Sequence, residues 1–331
     1  MSKKVNSIYI IAEAGVNHNG QMDLAYLLCD KAKEAGVDAI KFQTWKTENI
    51  VTKTANLAVY QEQNISNTSD NQYQMLKKLE LSYDNFAKIK EYCRRIGITF
   101  LSTPDDEESL SFLINLGIDF IKIGSGEINN IPYLRKIGST QLPVVLSTGM
   151  SNLGQVEFAY DTLIKSGTPK ISLLHCTTNY PCPMEEVNLR AMMTLKETFK
   201  CPIGYSDHTI GIEIPIAAAA LGAEIIEKHF TLDKAMDGPD HKASIDPNEL
   251  KGMVTAIRNI EKALGDGIKV PNKSEMEIAK VVLKRIVAKK KISKGDVLSS
   301  ENMTVKRSLS GISSVYWDLI VGTREIGRAH V

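Results

Sequence analysis

Two lysines stand beside hydroxyl-bearing residues in patterns that suit the binding of a phosphorylated carboxylic acid. Lys41 lies in KFQT and Lys122 in KIGSGE, each at or near the end of a short β-branched run. Ser125 and Ser147 supply hydroxyls close by, and the neighbouring glycines leave backbone amides unhindered, which is the material of a phosphate nest. The alternative is that each lysine only caps a strand and pairs with an acidic neighbour. Two lysines in equivalent positions favour the anion site.

Two histidines come at the ends of consecutive predicted strands. His208 lies in SDHT and His229 in EKHF. Because neighbouring strands are about 5 Å apart, both imidazoles could meet one divalent metal. With few other ligands nearby, such a site would stay open to substrate and water, as catalysis requires. The alternative is that each histidine is a satisfied polar group at a strand end, and His18 and His175 are further candidate ligands.

Two carboxylates complete the set of candidate catalytic groups. Glu13 ends the first predicted strand, where it could act as a general acid or base or bind a hydroxyl. An ion pair with Lys41 is its structural alternative. Asp240 in GPDH follows the last predicted strand and could bind sugar hydroxyls, or it could form an Asx turn.

These residues require a scaffold that brings many strand ends together. Short β-branched runs alternate with stretches of helical periodicity, which predicts βα units and a parallel sheet. A (β/α)8 TIM barrel over residues 1–266 fits this pattern and gathers the strand-end residues at its C-terminal mouth. A doubly wound sheet is disfavoured because no GxGxxG follows the first strand. The predicted strands are 8–12, 39–42, 98–101, 120–123, 144–146, 171–174, 203–205 and 225–227.

Three segments depart from this pattern. Residues 45–71 form a long polar stretch without regular periodicity, which is typical of a lid or substrate loop, although a surface insertion without a role is the alternative. Residues 267–283 are predicted to be a linker, and residues 284–324 a small and incomplete second domain of short strands. The last residues, 325–331, spell EIGRAHV, which a common sequencing adapter encodes in one frame, so we expect a truncated reading frame here.

Composition narrows the class of partner. The 331 residues include 40 basic and 39 acidic ones, which give a formal charge of +1. These charges are spread along the chain, so no footprint for nucleic acid or an anionic membrane is expected, and a small molecule is the better candidate. Without a leader-like or membrane-spanning apolar stretch, the chain is predicted to be cytoplasmic. Its five cysteines lack CxxC spacing and are expected to be reduced and mostly buried.

Taken together, nine motifs resemble those of the sialic acid synthase family in order and spacing, over almost the whole chain. The tail VAKKKISKGDVLSSENMTVKR is similar to the start of the antifreeze-like (SAF) domain that follows the barrel in that family. The resemblance implies a carbon–carbon bond-forming transferase that joins phosphoenolpyruvate to an N-acylated amino sugar and releases phosphate. The motifs are IAEAGVNHNG (11–20), KFQT (41–44), STP (102–104), KIGSGE (122–127), LSTGM (146–150), LLHCTTNYP (173–181), GYSDHT (204–209), EKHFTLD (227–233) and GPDH (238–241).

The resemblance also implies roles for individual residues. His208 and His229 would hold a divalent ion, typically Mn²⁺, with Mg²⁺ or Co²⁺ as alternatives, and Glu13 would assist proton transfer or orient the attacking water. Arg307 would reach into the partner's active site in a domain-swapped homodimer. The residues implied for phosphoenolpyruvate are Lys41, Thr103, Lys122, Ser125, Ser147 and Thr178, and those implied for the sugar are Gln43, Tyr180, Asp240 and Arg307.

The chain departs from the family pattern in three places. TPDD stands at 103–106 where TPF is more usual, and KRSLSG replaces a KRPG-like turn after Arg307, which bears on the placement of that arginine. Thr178 occupies the position where some members carry an asparagine that touches phosphate, so either Thr178 or Asn179 would make this contact here.

The identity of the sugar depends on finer similarities. IAEAGVNHNG, KFQTWKTENIVTK and GDGIK are more similar to the bacterial legionaminic acid synthase branch than to the branch that uses N-acetylmannosamine. This predicts a 2,4-diacetamido-2,4,6-trideoxymannose substrate, with an N-acetylneuraminate synthase as the alternative. Two further hypotheses are a Schiff-base aldolase with Lys122 or Lys41 as nucleophile, and a non-catalytic binding protein.

Overall fold

The computed structural model describes residues 7–65 and 70–327, and the chain divides after Asp266 into two compact units. The first unit contains eight strands: β1 (Tyr9–Gly15), β2 (Ala39–Thr44), β3 (Thr99–Pro104), β4 (Ile121–Ile123), β5 (Val144–Ser147), β6 (Ile171–His175), β7 (Ile203–Asp207) and β8 (Ile225–His229). They pair in parallel in the order β3-β2-β1-β8-β7-β6-β5-β4, and β3 also contacts β4. This order runs round the sheet in chain sequence, so the sheet closes into a (β/α)8 barrel and the fold prediction is confirmed.

Helices surround the barrel, and local sequence explains where they begin and end. The last helix of this unit starts at Pro247, directly after Asp246, whose carboxylate accepts hydrogen bonds from the backbone N–H groups of Asn248 and Glu249. Four of the five cysteines are buried among these elements, and all five are free thiols, as expected. The helices are α1 (Met22–Ala35), α2 (Thr47–Ile50), α3 (Val59–Asn64), α4 (Gln72–Leu79), α5 (Tyr83–Ile96), α6 (Glu107–Leu116), α7 (Ile131–Ser139), α8 (Leu153–Lys165), α9 (Arg190–Phe199), α10 (Glu213–Ala220) and α11 (Pro247–Ala263).

The inward-facing side chains of the barrel form an apolar lower layer and a polar upper layer at the mouth. Ile11, Ala39 and Leu101 form a small buried cluster that is separate from the main core between sheet and helices. Because side chains alternate between the two faces of a strand, Glu13 follows Ile11 on the inner face of β1, and Lys41 follows Ala39 on that of β2. Most strands therefore continue past the points where their predicted apolar runs stop.

The prediction that residues 45–71 lack regular structure is wrong in part. This stretch contains α2 and α3, and α4 begins just beyond it. The helices are short, and the sequence of α3, VYQEQN, has too few apolar residues to show a helical period. Residues 66–69 of the stretch lie outside the described residues.

The second unit, Gly267–Val331, contains helix α12 (Lys273–Val282), strands β9 (Lys284–Ala288), β10 (Met303–Arg307) and β11 (Ile312–Ser313), and helix α13 (Trp317–Ile320). Strand β9 pairs antiparallel with both β10 and β11. Most of the predicted linker 267–283 is therefore the helix α12, which begins after Asn272, whose side chain accepts a hydrogen bond from the N–H of Glu275.

The C-terminal segment and the apolar character of the helices remain to be described. In the suspected adapter-derived segment 325–331, the N–H of Glu325 donates to the carbonyl of Asp296, and residues 328–331 lie outside the described residues. Across the described ranges, no helix combines the length and apolar character that crossing a bilayer requires.

Candidate active site

The polar mouth of the barrel encloses a cavity of about 200 Å³. Nearly every residue that the sequence predicted for catalysis or binding in the barrel lines it. Asp240 stands beside this lining, with its Oδ2 atom 3.8 Å from Nδ1 of His229. Arg307 belongs to the second unit, where it is exposed at the end of β10. The lining residues are Glu13, Lys41, Gln43, Thr103, Asp105, Lys122, Gly124, Ser125, Gly126, Ser147, Cys176, Thr178, Tyr180, Ser206, His208, Glu227 and His229.

A buried network of two lysines and two glutamates crosses the floor of this cavity. Glu13 lies opposite Lys41 in the β1–β2 register, and Lys41 Nζ is 2.7 Å from Glu13 Oε2. Glu227 joins the two lysines, with its carboxylate oxygens 3.7 Å from Lys41 Nζ and 3.3 Å from Lys122 Nζ. The ion pair between Lys41 and Glu13 was the alternative interpretation of both residues. It exists, and it lies inside the cavity, so it does not exclude a role in binding.

The lysines also donate hydrogen bonds to hydroxyls on the next strand. Lys41 Nζ donates to Thr103 Oγ1 at 3.0 Å, and Lys122 Nζ donates to Ser147 Oγ at 2.9 Å. Each pair presents an ammonium and a hydroxyl together, which is a suitable arrangement for one anionic group of a small substrate. The two pairs could hold the two anionic ends of a phosphorylated carboxylate.

The pKa values in this network follow burial and charge. Burial opposes ionisation of Glu227, but the ammonium groups of Lys122 and Lys41 outweigh it and lower the pKa of Glu227 to about 2. Burial raises the pKa of Glu13, against the opposing effect of Lys41. Burial alone would lower the pKa of Lys41, yet the carboxylates of Glu13 and Glu227 raise it. A Schiff-base lysine needs a depressed pKa, so Lys41 does not suit an aldolase nucleophile.

Hydroxyl groups surround Gly149 on one side of the cavity. The N–H of Gly149 donates to Ser125 Oγ at 3.0 Å. Thr178 Oγ1 is buried and makes no hydrogen bond with any residue in the described ranges, so it is available to a ligand. Of the two candidates in the TTN segment, Thr178 lines the cavity and Asn179 does not.

We expect Gly149→Ala to weaken binding on this side of the cavity. An alanine Cβ would collide with Thr178 Oγ1 and lie 2.9 Å from Ser125 Oγ, so both hydroxyls would have to move. Displacing both hydroxyls should cost about 1.4 kcal/mol of binding free energy, which corresponds to a roughly tenfold higher KM for the phosphorylated substrate. Steady-state kinetics measures this change. Gly154→Ala is the matched control, because its Cβ meets only Asn152 Oδ1 at 3.6 Å. The KM of this variant should stay within twofold of wild type. Equal effects of both variants would contradict the prediction.

Two neutral imidazoles face each other across the cavity from the ends of β7 and β8. The ring centroids of His208 and His229 are 5.3 Å apart. Nδ1 of His208 lies 2.6 Å from the carbonyl oxygen of Thr177, so it carries the proton and leaves Nε2 as a free electron pair. Nδ1 of His229 is buried and has no hydrogen-bond partner among the described residues. Burial lowers the pKa of both rings, most strongly that of His229, where His208 adds to the effect.

This donor set fits a divalent metal with an open coordination sphere. Neutral imidazole is the form that binds metal, and an unpartnered buried nitrogen is available for that purpose. Among the residues that the structure describes, no group of three or more His, Cys, Asp or Glu side chains could enclose an ion. His18 and His175 do not line the cavity; His175 Nε2 lies instead 2.9 Å from the carbonyl oxygen of Val187.

The 45–71 insertion packs over the histidine side of the cavity. The ring of Tyr180 stacks on His208 with centroids 4.2 Å apart, and Tyr60 of α3 packs on Tyr180 at 5.0 Å. Asn64 at the end of α3 donates to the carbonyl of Pro239 at 2.8 Å, next to Asp240. The insertion is thus placed as a substrate loop would be.

Burial raises the pKa of Asp240 to about 7.

Glu227 is the main residue of the cavity that was not predicted. It lies two positions before His229 on β8, so strand alternation alone places it on the same inner face. Ser206 is its register partner on β7 and donates to Glu227 Oε1 at 2.8 Å. Asp105 also lines the cavity, and the only signal for it was the unusual TPDD segment.

Comparisons with known proteins show the family to which the chain belongs. The NeuB family model matches residues 28–269, and the SAF domain model matches residues 285–325. The chain is 50% identical to an N,N'-diacetyllegionaminic acid synthase of Campylobacter jejuni over 95% of this chain and 94% of that protein. An N,N'-diacetyllegionaminic acid synthase of Legionella pneumophila is 46% identical, over 98% and 94%. The crystal structure of an N-acetylneuraminic acid (sialic acid) synthetase from Leptospira borgpetersenii superposes with a TM-score of 0.73 at 38% identity, covering 83% of this chain and 91% of that one.

The barrel and the similarity to these synthases define the chain as a (β/α)8 transferase that forms carbon–carbon bonds in the synthesis of sugar acids. Within that class it belongs to the NeuB family, the sialic acid synthases. The resemblance seen in the motifs and the predicted SAF domain are both confirmed. The hypotheses of a Schiff-base aldolase and of a non-catalytic binding protein are set aside.

Proposed function

We propose that this chain condenses phosphoenolpyruvate with 2,4-diacetamido-2,4,6-trideoxymannose to give N,N'-diacetyllegionaminic acid and phosphate. The observation that carries the proposal is the single cavity in which two lysine–hydroxyl pairs stand beside two neutral imidazoles. The choice of sugar is supported by the legionaminic relatives described above, which share more of this sequence than the sialic acid synthetase does. N-acetylmannosamine is the alternative substrate.

Phosphoenolpyruvate binds along the lysine network. Lys41 and Thr103 hold its carboxylate, and Lys122 with Ser147 holds its phosphate. Ser125 and Thr178 add hydroxyls on the phosphate side. The charges of the two lysines are already balanced by two glutamates. The hydrogen bonds from the Ser125 and Thr178 hydroxyls would therefore add to the binding of the dianionic phosphate.

The sugar binds on the histidine side. Gln43, Tyr180 and Asp240 surround this part of the cavity, and Gln43 Nε2 already donates to Glu13 Oε1 at 3.1 Å. His208 and His229 hold a divalent ion, for which we propose Mn²⁺, with Mg²⁺ and Co²⁺ as alternatives. When bound, the ion supplies Lewis-acid polarisation of the aldehyde of the open-chain sugar.

The reaction then needs one new carbon–carbon bond and two proton transfers. Carbon 3 of phosphoenolpyruvate attacks the aldehyde carbon, whose oxygen gains a proton. Water adds to carbon 2 and loses its first proton, which balances the proton gained by the aldehyde oxygen. The hydroxyl on carbon 2 then gives its proton to the departing phosphate, as the bond between carbon 2 and the phosphate oxygen breaks and the carbonyl forms. Glu13, whose pKa burial raises, is placed to carry the proton that the water loses or to orient that water.

Phosphate release from phosphoenolpyruvate tests the proposal. The protein is stripped with EDTA and assayed with each candidate sugar, with and without added Mn²⁺. We expect metal-dependent release with a higher kcat/KM for 2,4-diacetamido-2,4,6-trideoxymannose. A higher kcat/KM for N-acetylmannosamine would sink the choice of sugar, and no release with either would sink the proposed reaction.

We further propose that the enzyme acts in the cytoplasm as a domain-swapped homodimer in which Arg307 of one subunit contacts the sugar in the other. Arg307 is exposed at the end of β10 and has no ion-pair partner in the described part of the chain. We therefore expect Arg307→Ala to raise the sugar KM about tenfold or more and to leave the KM for phosphoenolpyruvate unchanged. Lys306→Ala, at the neighbouring exposed position, is the control. Equal losses for both substrates would contradict this placement of Arg307.

A further inference from the structure

Asp105 occupies the boundary between the catalytic cavity and a second cleft. It follows β3 directly, two residues after Thr103, and it lines the cavity together with Lys41 and Thr103. It also lines a neighbouring open cleft of about 550 Å³, together with residues of α6 and α7. The Asp105 carboxyl is therefore partly buried beside the end of the cavity proposed to hold the substrate carboxylate.

The carboxyl of Asp105 is unpaired, in contrast to that of its neighbour. Asp106 caps α6, and its carboxylate accepts hydrogen bonds from the N–H groups of Lys46, Glu108 and Ser109. Asp105 uses only its backbone N–H, which donates to the carbonyl of Thr44 at 3.0 Å. Its side chain makes no hydrogen bond and no ion pair with any residue in 7–65 or 70–327. The side chain is partly exposed and lines the cavity, so its carboxyl is free to contact a bound substrate.

The surroundings favour the neutral carboxylic acid. Burial is the main cause that raises the pKa of Asp105 to about 8, and neighbouring carboxylates add to the effect, while Lys41 acts against it. Lys41 is itself already engaged with Glu13 and Glu227. The groups that face Asp105 from the surrounding elements are Glu13 on β1, Lys41 on β2, Asp106 beside it, Glu127 after β4 and Tyr133 on α7.

We propose that Asp105 is a further substrate-binding residue, whose carboxylic acid donates a hydrogen bond to the carboxylate of phosphoenolpyruvate between Lys41 and Thr103. This rests on the proposed function for the position of that carboxylate. The ionised form would instead repel the substrate and make the cavity net negative. Binding of phosphoenolpyruvate is therefore linked to protonation of Asp105, and the affinity falls as the pH rises through the pKa of this group.

Calorimetric titration of the Mn²⁺-loaded protein with phosphoenolpyruvate alone tests this linkage without turnover. Measurements at pH 8 in buffers of different ionisation enthalpy give the number of protons taken up. We expect about half a proton for wild type and none for Asp105→Asn, since the amide donates a hydrogen bond at every pH. The ratio of wild-type Kd to Asp105→Asn Kd should rise about tenfold per pH unit above pH 8. Groups that both proteins share cancel in this ratio.

Two further variants separate a binding role from a structural one. Asp105→Leu removes the donor and should raise the Kd roughly tenfold or more at pH 7, with the sugar KM within twofold of wild type. Glu107→Gln, an acid-to-amide change in the second cleft, should leave the Kd and proton uptake unchanged. Equal proton uptake by wild type and Asp105→Asn, with normal phosphate release, would overturn the inference and leave the proposed function intact. If proton uptake depends on Asp105 but no phosphate is released, the inference stands and the proposed function is overturned. If the wild-type protein does not bind phosphoenolpyruvate, both are overturned.

Discussion

Replacing His229 by glutamine should reduce phosphate release by roughly a thousandfold, because the ion proposed to polarise the aldehyde loses one of its two protein ligands. His229 is buried, its Nδ1 atom is unpartnered among the described residues, and burial keeps the ring neutral. Within the described ranges, the two imidazoles belong to no group of three or more His, Cys, Asp or Glu ligands, so the loss of one halves the proposed set of protein ligands. The Kd for Mn²⁺, measured by electron paramagnetic resonance of the free ion, should rise at least about tenfold.

Two controls make this result specific. His175→Gln changes an imidazole that bonds to the carbonyl of Val187 outside the cavity, so Mn²⁺ binding should be unchanged. EDTA-stripped wild type should lose phosphate release and regain it with Mn²⁺, whereas the His229→Gln protein should not regain it at the same concentration. Full activity of stripped wild type, or unchanged Mn²⁺ binding by His229→Gln, would refute the assignment of the metal ligands.

The barrel could be predicted because hydrophobic periodicity reports it directly. All eight predicted runs are strands, and helices follow them at the expected intervals. The predicted strands ended too early because they were identified as apolar runs. In this barrel the upper layer of inward side chains is polar, so Glu13 and Thr103 lie within strands and not beyond them.

A different reason explains why Glu227 was missed. The predicted strand 225–227 contains it, but the period of two that places Glu227 on the same face as His229 was not used. Reading the alternation through the polar residues would have placed both on the inner face. The network with Lys41 and Lys122 would still have needed the register between strands, which depends on the closed sheet.

The environment of Asp105 and the packing of the 45–71 insertion could not be predicted from local sequence. The raised pKa of Asp105 arises from burial and from carboxylates that come from other strands and loops. The packing of Tyr60 on Tyr180 joins residues 120 positions apart, which no local period records. Groups assembled from distant segments depend on the tertiary fold, so sequence patterns can only nominate their members.

We expect the second large effect, a loss of kcat/KM for phosphoenolpyruvate, from Lys122→Met in the lysine network. Lys122 Nζ lies 3.3 Å from Glu227 Oε1 and 2.9 Å from Ser147 Oγ, in a fully buried setting. Its removal leaves Glu227 to Lys41, which already pairs with Glu13 at 2.7 Å. The cavity floor then changes from two cations and two anions to a net negative charge, at the place where the phosphate is proposed to bind. Removing one partner of a buried charge pair at a binding site costs about 3–4 kcal/mol, so kcat/KM for phosphoenolpyruvate should fall roughly a hundredfold to a thousandfold.

A double variant separates this charge effect from a loss of shape. If net charge decides, Lys122→Met combined with Glu227→Gln restores neutrality, and the calorimetric Kd for phosphoenolpyruvate should be lower than in Lys122→Met alone. Binding is the proper readout, since Glu227 could also affect turnover. Lys165→Met, in the exposed pair with Asp161, is the matched control and should change neither affinity nor turnover measurably. If the double variant binds no better than Lys122→Met, the lysine acts through its own hydrogen bonds to the phosphate, and electroneutrality of the floor is not what holds the substrate.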